Sequence, residues 1–166
     1  MQYSVNKQEV YQYLNQLGIW HEITAHPAVY SMAEVANVQL PYPSGDAKNL
    51  LIRDDKHAHY YLLTVKGDRR VDLKKFRQQN GTRRLSFASA EDLQRLLGVI
   101  PGAVTPLGLL NDQQHQVVLY LDHDFLDEQG IIGVHPNENT ATVWLRAADL
   151  VTLLQQNGTS VKVVEF

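Results

Sequence analysis

KNLLIRD (48–54) and YYLLTVK (60–66) are two apolar runs joined by the polar segment Asp54–His59. Runs of this length, bounded by turn residues, read as two strands of a hairpin. Working outward, VVLYLD (117–122), GIIGVH (130–135) and TATVWL (140–145) are further strands, and SVKVVEF (160–166) closes the chain with another. IWHEITA (19–25) alternates apolar and polar residues as a half-buried strand does, and residues 84–88 form a short one. Between them lie helical segments. Residues 5–18 carry Val5, Val10, Leu14 and Leu17 near helical spacing, with Asn6 and Glu9 placed as a capping box and Gly18 at the exit. Ser31 with Glu34 caps a second, short helix. Asp72 starts a basic helix that Gly81 ends, and Ser89 with Asp92 starts another over 90–97. The last runs from Leu145 to Gln156. Hairpins mixed with helical connections predict an α+β fold, a mixed and largely antiparallel sheet flanked by helices. The Gly- and Pro-rich stretch 98–108 reads as a loop.

The chain has 166 residues, of which 44% are apolar and none is cysteine. That length suits a single domain over 1–166, large enough to hold a core without a metal or disulfide staple. Without cysteine there is no thiolate nucleophile and no Cys-based zinc site. No apolar run approaches the ~18 residues of a membrane span, and the polar N-terminus lacks a secretory pattern, so the expected compartment is the cytoplasm. Net charge is −3, yet residues 66–84 hold eight basic and two acidic side chains. A positive face on an acidic body steers one polyanion to one place, although charge runs are commonly just solvated faces.

Chemistry-bearing candidates are few. His57-x-His59, and His123 between Asp122 and Asp124, have the residue types of a metal site, but no ordered second half accompanies them and a surface reading is simpler. GxSxG, Walker A and GxGxxG are absent. Four segments stand out. Lys48 sits at the mouth of an apolar strand after a Gly/Pro loop, where it can act as a point charge for phosphate or remain an edge lysine. Gly98–Gly108 fixes a backbone whose N–H groups can hold an oxyanion or orient water, or is a rigid connection. His135–Thr142 is a polar turn between strands, and Thr82–Ser89 carries the pair Arg83-Arg84.

In this order, KNLLIRD (48–54), YYLL (60–63), RRLSFASAEDLQRLLGVIPGAVTPLGLLND (83–112) and HPNENTATV (135–143) resemble the YbaK/ProX family. These are single-domain aminoacyl-tRNA deacylases related to the editing insertion of bacterial prolyl-tRNA synthetases. The closest likeness is to the alanyl-tRNA(Pro) deacylases, also called prolyl-tRNA synthetase associated domain proteins. The resemblance runs from about residue 5 to the C-terminus. It implies hydrolysis of the ester of mischarged tRNA(Pro), most simply Ala-tRNA(Pro), by a free-standing trans-editing factor. It implies that Lys48 matches the family's essential lysine, which engages the 3′-terminal adenosine, with Asn49 beside it. Gly102, Ala103, Val104, Thr105 and Pro106 match the GxxxP loop bordering the ester. His135 matches a pocket histidine beside Asn139 and Thr140, and His26-Pro27 an early pocket turn. Lys48, Gly102 and His135 are the catalytic candidates. Arg83 and Arg84 fall where relatives meet the tRNA acceptor stem, and Lys74 and Lys75 of the basic stretch are the other expected tRNA contacts. Prolyl-tRNA synthetase or an elongation factor are the protein partners such a role would bring; no cofactor, metal, DNA or membrane is implied. Rival readings are a sister deacylase for Cys-, Ser- or Thr-tRNA, a non-catalytic tRNA- or synthetase-binding module, and a metal or small-molecule binder using His57-x-His59.

Overall fold

A computed structural model describes residues 5–28, 40–127 and 130–166. Its strands are β1 (His21–Ala25), β2 (Ala47–Asp54), β3 (Tyr60–Lys66), β4 (Leu85–Phe87), β5 (Val117–Asp122), β6 (Ile131–Val134), β7 (Ala141–Arg146) and β8 (Val161–Val164). The α-helices are α1 (Lys7–Gln16), α2 (Leu73–Asn80), α3 (Ala90–Leu97) and α4 (Ala147–Gln156). Short 3-10 turns cover Pro43–Gly45, Pro106–Asn111 and His123–Leu126.

Local chemistry sets these boundaries. Asn6 and Glu9 form the expected capping box on α1. The Asp72 side chain accepts from Lys75 N–H at the start of α2, and Ser89 and Asp92 cap α3 reciprocally. α2 and α3 both stop at a glycine with φ near +65° (Gly81 64°, Gly98 66°), a conformation that only glycine adopts without a Cβ penalty. The loop expected over 98–108 ends early. Thr105 caps a 3-10 turn that Pro106 opens, its hydroxyl accepting from Leu107 N–H at 3.2 Å. α4 begins two residues later than its apolar pattern suggests, because β7 extends to Arg146. The helix expected at Ser31 and Glu34 lies outside the described residues.

The α+β expectation holds, and the strands divide into two sheets. One is antiparallel, in the order β1-β7-β6. The other is mixed, in the order β4-β2-β3-β5-β8, with β3–β5 and β5–β8 parallel. The 48–66 hairpin lies at the heart of the second, with Leu50 opposite Leu63. Among the described residues, one isolated parallel bridge, Asp46 to Gly133, links the two sheets.

Strand alternation puts β2 and β3 side chains on two faces. Leu51 and Leu62 join the large core with Leu119, α3 and α4, and with Val10 and Leu14 of α1. Ile52, Leu63 and Tyr120 pack on the other face against Phe76 of α2, whose ring stacks on Phe166.

One buried polar cluster ties α3 to the hairpin. Asp92 accepts from Arg53 (2.6 Å), Arg95 (3.1 Å), Tyr60 hydroxyl (3.3 Å) and Ser89 N–H (3.0 Å). Burial pushes its pKa up, but the Ser89 N–H and the two arginines outweigh that and hold it at about 2. A carboxylate depressed in the folded state stabilises above the unfolded value of 3.8 and loses that contribution as pH falls toward 2. Asp92→Asn is expected to lower Tm at pH 7, with the gap to the native chain narrowing between pH 4 and 2. Thermal melts across this range check it; a gap independent of pH would contradict the assignment.

Candidate functional site

A small cleft opens between the outer face of the three-stranded sheet and the segment entering β2. Thr142 and Trp144 of β7, Gly133 and Val134 of β6 and His135 form one side. Leu40, Asp46, Ala47 and Asn49 form the other, and His26 closes one end.

Each side chain is there for a traceable reason. Val143 and Leu145 of β7 belong to the core, so alternation turns Thr142 and Trp144 to the opposite face. Trp144 is fully buried, and its indole N–H donates to Thr24 Oγ1 at 2.9 Å. A Cβ added to Gly133 would lie 2.4 Å from this ring, and one added to Gly45 would lie 2.7 Å from Ile131 carbonyl oxygen. Gly133 therefore lets the indole lie across its cross-strand neighbour, and Gly45 lets the entry to β2 approach β6. His26 follows β1, and its N–H continues the β1–β7 ladder by donating to Thr140 carbonyl at 3.0 Å. That brings its ring to Thr142, with Nε2 2.9 Å from Oγ1.

Carbonyl oxygens accept only, which fixes both histidine tautomers. His26 Nδ1 donates to Pro27 carbonyl, and His135 Nδ1 donates to Ala141 carbonyl, each at 2.9 Å. The two rings meet edge-on, 6.0 Å apart. Burial pushes His135 below the ordinary histidine pKa of 6.5; the Ala141 carbonyl opposes this and His26 adds to it. Asp46 is also half-buried, and burial raises its carboxyl, opposed by the Ala47 N–H and assisted by the charge of Asp68. The Asn49 side-chain oxygen accepts from Thr64 hydroxyl at 2.6 Å, leaving its NH₂ as a donor at the cleft.

Of the candidates read from sequence, His26, Asn49 and His135 line this cleft. Lys48 does not. It shares the Leu50–Ile52 face of β2, opposite Ala47 and Asn49, and its ammonium bonds to Arg69 carbonyl. Nor do Gly102–Pro106 line it. Ala103, Thr105 and Pro106 are buried, Val104 packs on the core, and Gly102 sits in the loop at φ 93°. Thr105 reaches the site from behind, its hydroxyl donating to His135 carbonyl at 2.6 Å. Thr140 is exposed and bonds Glu138, and Asn139 is buried. Lys74, Lys75 and Arg84 are exposed, whereas Arg83 forms a two-pronged pair with Asp55 at 2.6 and 3.1 Å. Asp46, Thr142 and Trp144 were missed: β7 alternation marks the last two as facing away from the core, but no sequence pattern marks Asp46.

Among the described residues, His123, Asp124 and Asp127 offer ligand atoms within 4.8 Å of one another. Asp124 is already paired with Arg69, and Asp122 is buried and salt-bridged to Arg69 at 3.2 Å. His57 lies in the turn between β2 and β3 at φ 52°. Among the described residues no helix is long and apolar enough to cross a membrane.

Comparison with known proteins bears on this site. The family model for the aminoacyl-tRNA editing domain matches residues 26–153. The prolyl-tRNA editing protein ProX of Acetoanaerobium sticklandii is 35% identical over 160 residues, 96% of this chain and 97% of that protein. A prolyl-tRNA synthetase associated domain-containing protein 1 of Mus musculus is 30% identical, covering 95% of each. A crystal structure described as a candidate trans-editing enzyme for prolyl tRNA synthetase superposes with TM-score 0.68 at 22% identity over 99% of each chain, a likeness of fold.

The histidine geometry is testable by NMR. His135 is expected to titrate below 6.5, and His26→Ala to move its midpoint upward by removing a like charge. A His135 midpoint at or above 6.5, unmoved by the substitution, would contradict the arrangement.

Proposed function

The chain belongs to the aminoacyl-tRNA editing domain family, and from that premise we propose that it hydrolyses the ester of mischarged tRNA(Pro), with alanine the amino acid removed. The observation that carries the site assignment is the convergence of His26, Asn49 and His135 in one cleft.

The chemistry is modest. An aminoacyl ester is already activated, so hydrolysis needs orientation more than a strong nucleophile. Water attacks the carbonyl carbon, and the ribose hydroxyl leaves. His135 and Trp144 shape the pocket, and Asn49 offers its NH₂ to the substrate. Thr105 acts through His135, whose carbonyl it holds, while Gly102–Pro106 supply the rigid support behind that loop. Lys48 anchors the terminal adenosine. Its ammonium rests on Arg69 carbonyl, and a four-carbon stem lets it swing from that oxygen to a phosphate. The physiological need is clear: a synthetase pocket cannot strongly reject a smaller side chain, since a missing methylene is worth only about 1–3 kcal/mol.

The acceptor stem meets the basic face. Arg70, Lys74, Lys75, Arg77 and Arg84 are exposed, and none carries a salt bridge among the described residues. Arg83 is neutralised by Asp55, which leaves Arg84 as the member of the pair available to phosphate. Such contacts give affinity and salt dependence rather than sequence reading.

Single-turnover hydrolysis of alanyl-, prolyl-, cysteinyl- and seryl-tRNA(Pro) tests this. Alanine is expected to leave fastest, and Lys48→Ala to slow its release by about 10²-fold, the scale of a misplaced substrate. Faster release of another amino acid would overturn the alanine assignment, and release from none would favour a binding module. Arg84→Ala is expected to weaken tRNA binding and lower its salt slope by about 1. Arg83→Ala should change the slope less; the opposite order would reassign the contact.

A further inference from the structure

Among the described residues the cleft offers several hydrogen-bond acceptors, the Asn49 NH₂ as a donor, and no lysine or arginine. Asp46 is its one carboxylate among the described residues. The two tautomers sharpen this polarity. Because His135 Nδ1 donates to Ala141 carbonyl, the neutral ring presents Nε2 as a bare acceptor, with no partner among the described residues. Because His26 Nδ1 donates to Pro27 carbonyl, the Nε2 of its neutral ring accepts the Thr142 proton. The hydroxyl hydrogen is thereby occupied, and Thr142 Oγ1 faces the cleft with lone pairs only.

We propose that this cleft reads the free α-ammonium group of the aminoacyl ester, with His135 Nε2 and Thr142 Oγ1 accepting its hydrogen bonds and Asp46 as counter-charge. The assignment rests on the deacylase reading above. Three N–H donors on a compact cation match two neutral acceptors and a carboxylate, a pairing that anions and N-acylated amines cannot make. Thr142 thus determines specificity, and His26 is a positioning residue that aims the Thr142 lone pairs. The substrate class narrows to esters with an unblocked amine, which sets aside peptidyl and N-formyl esters.

The test compares alanyl-tRNA(Pro) with lactyl-tRNA(Pro), in which a hydroxyl replaces the ammonium at nearly equal size. Each enzymatic rate is divided by the spontaneous hydrolysis of the same ester, because the ammonium alone makes an ester more labile. The native chain is expected to favour the alanyl ester by about 10- to 100-fold, the scale of a hydrogen bond to a charged group. Thr142→Val keeps the side-chain shape and removes the acceptor, and should erase most of that preference. Thr142→Ser keeps the acceptor and should retain it. Equal normalised rates in the native chain would overturn the ammonium assignment while leaving the deacylase standing. A preference that survives Thr142→Val would overturn the role of Thr142. Release of neither acyl group would overturn the deacylase reading and this inference with it.

Discussion

A tryptophan ring lies on a glycine where the two sheets meet, and the cleft depends on that contact. Trp144 is fully buried, and a single methyl group on Gly133 would stand 2.4 Å from its ring. The same seam carries the Asp46–Gly133 bridge, and Gly45 brings the chain within reach of Ile131. Close approach here sets the distance between β7 and the entry to β2, and so which side chains face one another. The indole bond to Thr24 holds β1 beside β7, and β1 in turn delivers His26 to Thr142. Packing at the seam and polarity in the cleft are one construction.

The molecule separates two kinds of recognition. Phosphates would meet the exposed cations of α2 and its flanks, on an otherwise acidic chain. The amino acid would meet a small cleft whose polar groups are held in place by backbone carbonyls. The first supplies affinity without discrimination, and the second supplies discrimination from few contacts. Lys48 stands at the border. Its neighbours Ala47 and Asn49 face the cleft, while its own side chain follows the opposite face toward the 66–72 segment.

Much of the fold was legible because its signals are local. Caps at Asn6, Asp72 and Ser89, glycine exits at Gly81 and Gly98, and the apolar runs of β2, β3 and β5 all appear where the residues put them. The split into two sheets was not legible. It follows from the Asp46–Gly133 bridge and from Gly45 meeting Ile131, contacts between distant segments with nothing in the sequence to pair them. The site was partly legible: His26, Asn49 and His135 meet in the cleft. Thr142 and Asp46 were not picked out individually, because the contacts that place them at the cleft, the His26–Thr142 bond and the Asp46–Gly133 bridge, form only on folding. Adjacent in sequence, Arg83 and Arg84 read alike; Asp55, 28 residues away across the hairpin turn, distinguishes them.

The central claim is that the cleft over Trp144 holds the amino acid. The most direct measurement is an NMR titration with alanyl-adenosine linked by an amide, which the protein cannot hydrolyse. The account predicts shifts at the Trp144 indole N–H, at the His135 ring and at Thr142. Perturbation confined to the groove between Tyr13, Leu110 and Asn157, or to the one between Ser44, Asp124 and Ile131, would contradict it.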